Sequence, residues 1–77
     1  MEISVIEQVL RDAVRRGVLD EADVNAAVDG MWGARATFQE AVKTPQEDRE
    51  GKMAAALEEF NEVSTDVVAL LNRAASA

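Results

Sequence analysis

Three sets of side chains in this 77-residue chain have types and spacings that could do chemistry. Glu58, Glu59 and Glu62 place carboxylates three and four residues apart, as do the helices that hold di-iron and di-manganese centres. Those centres also draw on histidine, which the chain lacks. Their acids point into a bundle, whereas the periodicity described below turns these outward. Ser4, Ser64 and Thr65 carry hydroxyls, yet with no histidine and no cysteine there is no imidazole base to activate them and no thiolate to replace them. Gly30-x-x-Gly33 spaces two glycines as phosphate-cradling loops do, but such loops follow a strand, and the pattern here is helical. Carboxylates paired as acid and base need a pocket, and a slim helical protein has little volume for one. The expectation is a chain with no catalytic residue, no metal ligand set and no cofactor, and not an enzyme.

What remains is the chemistry of contact. Val24, Val28, Met31, Arg35, Phe38 and Val42 recur every three or four residues and form a bulky helical stripe. Nearly opposite lie Ala26, Gly30, Gly33, Thr37 and Ala41, with Ala27 and Ala34 beside them. Small residues at that spacing let another backbone approach closely. This face is therefore a candidate partner-binding surface, with Trp32 and Arg35 as anchors. Each feature has a competing use. The small face can be consumed inside the bundle. Trp32 can be the largest core residue, its indole N–H on a carbonyl, and that is the commoner use. Arg35 can meet Glu50, Glu58 or an acid of another chain, or carry its charge to the edge of the stripe.

A second candidate surface is acidic. Glu47, Asp48, Glu58, Glu59, Glu62 and Asp66 fall within about a third of a helix circumference, opposite Leu57 and Leu71. Such a row can imitate a phosphate backbone, dock on a basic protein surface, or only keep one face solvated.

Three helices must position these surfaces, with expected spans 2–16, 21–43 and 45–74. In the first, Ile3, Ile6, Val9, Leu10, Ala13 and Val14 make one stripe, and the pairs Glu7/Arg11 and Asp12/Arg16 support it at four-residue spacing. Gly17 supplies a left-handed terminator after Arg15 and Arg16. Asp20 is placed to cap the second helix, with Leu19 and Val24 as a hydrophobic staple. Gly30 and Gly33 weaken that helix by roughly 1 kcal/mol each against alanine and mark where it could break. Thr44-Pro45-Gln46-Glu47 reads as a capping box with proline at the first helical position. Beyond it Met53, Leu57, Phe60, Ser64, Val67, Leu71 and Ala74 form a heptad seam, flanked by Val63, Val68 and Leu70. At about 1.5 Å per residue the third helix is about 45 Å long and the first about 21 Å. A short helix cannot cover a long one, so part of the third helix lies open or meets another molecule. The closing Ala75-Ser76-Ala77 is expected to fray.

The fold expected is thus all-α: a single domain, 1–77, in which the second and third helices make a long antiparallel hairpin and the first packs across it. A net charge of −7 disfavours nucleic acid and anionic lipid as direct partners and favours a basic protein surface. The opening residues lack a basic and then apolar leader, and the default location is cytoplasmic. Near-zero net stability at this size favours a partner or self-association, so a homodimer is expected. The function expected is a non-catalytic protein–protein interaction module, a regulator or adaptor acting through helix surfaces. One alternative is an acidic nucleic-acid mimic that inhibits a nucleic-acid-binding protein, similar in size and charge to small phage-encoded antagonists of host defence. Another is a helical assembly or scaffold component. No stretch carries a family signature.

Overall fold

A computed structural model of the chain describes residues 2–76. Its elements are α1 (Ile3–Arg15), α2 (Glu21–Lys43) and α3 (Gln46–Ser76), and no strand occurs among the described residues.

The α1–α2 turn forms as its residues dictate. Gly17 takes φ +76°, the only positive value among the described residues. The Val18 N–H donates to the Ala13 carbonyl at 2.9 Å and the Gly17 N–H to the Val14 carbonyl at 3.0 Å. This pair of bonds satisfies the last carbonyls of α1 and reverses the chain. Leu19 and Val24, the staple residues, are both buried. Asp20 stands at the cap position in extended backbone, but its side chain makes no capping bond.

The α2–α3 turn differs from the expected capping box. The Thr44 hydroxyl donates backwards to the Glu40 carbonyl at 2.9 Å rather than accepting from the start of α3. Pro45 precedes the first helical residue, and its carbonyl accepts from the Asp48 N–H at 3.0 Å. A threonine hydroxyl within reach of a helix carbonyl four residues earlier has two partners to choose from; here it closes the old helix instead of opening the new one. At the other end α3 continues helically through Ser76; Ala77 lies outside the described residues.

Helix α2 is unbroken across Gly30 and Gly33. A Cβ built on Gly30 would lie 3.1 Å from Val63 Cγ2, and one on Gly33 would lie 3.5 Å from Glu59 Oε1. Arg73 pairs with Asp23 at 3.7 Å. These pairs descend α3 as they ascend α2, so the two helices run in opposite directions. The small face of α2 is thus turned to α3, where Ala27, Ala34 and Ala41 are buried and only Ala26 is exposed.

That close approach selects which row of α3 faces inward. Ala56, Val67 and Leu70 are buried and Val63 lies against Gly30. The heptad seam is therefore displaced from the expected line. Its Leu57 and Phe60 are 55% and 58% exposed, and Val68 beside them is also exposed. Leu10 and Val24, both fully buried, anchor the core with Ala13, Val28 and Met31, where α1 crosses the hairpin. The molecule measures 48 × 20 × 17 Å.

Candidate functional site: an open apolar cleft

The bulky stripe of α2 and the adjoining side of α3 form the two walls of one cleft. Helix α1 fills its first half, placing Ile3 and Ile6 against the cluster built on Leu10, Ala13, Val24 and Val28. Arg11 of α1 donates to Asn25 Oδ1 of α2 and also meets Glu7 at 3.4 Å, which holds α1 on the α2 side of the cleft. Because α1 has 13 residues against 31 in α3, the cleft runs on beyond it.

The uncovered half is a groove of about 570 Å³. Ile3 and Ile6 close one end, Phe38 and Ala34 line the α2 wall, and Leu57 and Phe60 stand on the α3 wall. Only Arg35 and Ser64 among its fourteen lining residues are polar. Phe38 is 44% exposed there, although it continues the stripe that buries Val24 and Met31.

The expected anchors flank this groove rather than the small face. Trp32 is exposed, not core. It stands one residue off the stripe and is 44% exposed. Arg35 lines the groove, and its guanidinium lies 5.6 Å from the centroid of the Trp32 ring. Arg35 forms no ion pair among the described residues. The stack over an aromatic face is an alternative partner for a cation at an apolar rim. Thr37, on the small face, donates its hydroxyl to the Gly33 carbonyl at 3.0 Å. The structure thus separates two groups that one helix carries: Gly30 and Gly33 lie against α3 and Ala41 is buried, while Arg35 lines the groove with the exposed Trp32 ring beside it.

The acidic row holds together as a surface. Glu47, Asp48, Glu58, Glu62 and Asp66 are exposed, and Glu59 is half-buried beside Gly33. None of the six forms an ion pair among the described residues. No group of three or more acidic residues among the described residues is arranged to hold a metal ion. The outer side of α1 carries charges that satisfy one another, with Asp12 bonded to Arg15 and Arg16, each at 3.3 Å. No described helix is long and apolar enough to cross a membrane.

Sequence reasoning placed Leu57, Phe60 and Val68 in or beside a buried seam and did not foresee them as groove walls. The signal available was the mismatch in helix length, which marked part of α3 as open without saying which face. No family model matches the chain, and comparison with curated proteins and with solved structures found no similar protein.

Proposed function

We infer that the protein is a small non-catalytic interaction module, a regulator or adaptor whose contact surface is the open half of the cleft. The observation that carries this reading is the groove itself: about 570 Å³, apolar except for Arg35 and Ser64, with two large side chains more than half exposed on one wall. Contiguous apolar surface of this kind on a small chain marks a binding site. Arg35 is the one ionisable group in the groove, so it offers no acid–base pair to a substrate. The cleft already accepts a helix along its first half, through Ile3, Ile6, Leu10 and Ala13 at helical spacing. A helix laid in a groove through such anchors is a recurring mode of protein recognition.

A photoreactive residue in place of Phe60, compared with one in place of Glu62, tests this in the native cell. Position 60 is expected to capture protein and position 62 to capture far less. Capture from position 62 alone would replace the groove with the acidic row and favour the charge-mimic alternative. Silence at position 60 would remove the groove as a contact surface.

A further inference from the structure

We propose that the groove is closed by a second copy of this chain, related by a two-fold axis and reversed end to end, with the exposed part of the α3 seam packed against its counterpart. This rests on reading the groove as a contact surface and names its occupant.

Shape is the first support. A two-fold interface uses one patch twice, so the patch must carry both projection and recess. This patch does: Leu57 and Phe60 project from the α3 wall beside the groove. On a larger scale the molecule has three helices at one end and two at the other. A reversed copy sets the ridge of its α1 beside the open half of the first.

The second support is the seam. Met53, Leu57, Phe60 and Ser64 continue a heptad, yet the contact with α2 uses the neighbouring row through Ala56 and Val63. A heptad row whose Leu57 and Phe60 its own chain leaves more than half exposed is suited to pack on another helix.

Charge is the third. A copy carrying −7 is repelled by any surface that presents its acids. The groove does not: the one charge among its lining residues is Arg35. Six of the seven acids of α3 occupy its other side, where Glu59 borders Gly33, and Glu50, in line with Leu57, is not among the groove's lining residues. Residues 2–16 hold three acids and three bases, so the α1 ridge is neutral and the net charge lies on the hairpin. A basic helix would find no carboxylate among the groove's lining residues.

Area is the fourth. The chain exposes 5395 Å². A compact protein of its mass would expose roughly 4,600 Å². The excess, about 800 Å², goes with the elongated 48 × 20 × 17 Å shape, and is the order of area each partner contributes to a stable interface.

Sedimentation over a hundredfold dilution tests the proposal on the full chain. The native chain is expected to be a dimer at the upper end and to dissociate toward the lower. Phe60→Lys and Leu57→Lys should each weaken the dimer about a hundredfold by burying an unpaired charge beside Arg35, with helical circular dichroism retained because both side chains are already exposed in one copy. Leu57→Gln guards against a folding defect and should weaken it in the same direction. Spin labels on Ala75→Cys should lie on the order of 40 Å apart, near the length of α3; a separation below about 20 Å would overturn the reversed arrangement. A native chain that stays monomeric, or a dimer indifferent to all three substitutions, would overturn the proposal. A labelled peptide of residues 2–16 separates this from the broader reading. If the native chain is monomeric and binds that peptide only when Phe60 is intact, the groove is a contact surface and the second copy is not its occupant. Failure of both measurements removes both readings.

Discussion

From Val24 to Met31 the bulky stripe of α2 is buried under α1; from Arg35 to Val42 the same stripe, at the same spacing, is exposed. The opposite wall repeats the contrast. Val67 and Leu70 are buried near α1, while Leu57 and Phe60 face solvent. Composition separates the two halves only at Arg35, since the rest of both is aliphatic or aromatic at helical period. Coverage does, and coverage is set by the length of α1. Residue pattern assigns a helix its apolar face; the reach of the neighbouring helices decides how much of that face the chain itself can use. What is left over is a surface already shaped for another helix.

The largest expected effect tests whether the halves differ as much in energy as in exposure. Leu10→Ala removes a fully buried side chain from the covered half and should cost about 3 kcal/mol. Phe60→Ala in the open half should cost less than about 1 kcal/mol, because 58% of the side chain is already in water. Urea denaturation at a concentration where the chain is monomeric measures both. Equal losses would mean that the open half is closed by its own chain in solution. Repeating the pair at high concentration sharpens the contrast, since stabilisation by a second copy makes only the Phe60 loss depend on concentration.

The next effect lies on the boundary between the halves. Gly30→Leu forces a bulky side chain where even a Cβ meets Val63 at 3.1 Å, and should cost 1 to about 3 kcal/mol by prising α2 from α3. Gly33→Ala meets only the end of the Glu59 side chain at 3.5 Å and should be neutral or slightly stabilising. The pair reports the use of the small face. If Gly30→Leu left the stability of the monomer unchanged and abolished association, that face would be an outer interface, and the groove would lose its claim.

Much of this architecture was legible. Gly17, the staple of Leu19 and Val24, and the break between α2 and α3 around Pro45 follow from local chemistry, and the structure places all three helices within two residues of their expected ends. The capping choice of Thr44 was not legible, because its hydroxyl had a satisfactory partner on either side. Nor was the inward row of α3. Leu57 and Phe60 are larger than Ala56 and Val63, so any ranking by hydrophobicity turns them inward. The decision belongs to α2, whose Gly30 admits Val63 more closely than any larger residue would allow. That is a relation between positions 33 residues apart, and the periodicity of one helix does not contain it. The groove inherited the same difficulty: its existence followed from helix lengths, its walls from a packing choice made elsewhere.

The smallest effect follows the comparison to the far end of the hairpin. Packing loosens along the glycines: Gly30 is in close contact, Gly33 in ordinary contact, and a Cβ on Gly51 would meet nothing within 4 Å. Gly51 lies inside α3 without the positive φ that requires glycine at Gly17. Alanine there narrows the unfolded ensemble and favours the helix with no steric cost, so Gly51→Ala should stabilise the chain by about 0.5 to 1 kcal/mol. In a domain of this size that is a rise of about 2 to 8 °C in Tm, measurable by thermal denaturation monitored by circular dichroism. A Tm that falls would place the backbone around Gly51 outside helical geometry, or against a second molecule that needs the space. In that case the open surface would extend past the groove to the start of α3, and the contrast between the halves would have to be redrawn around a longer interface.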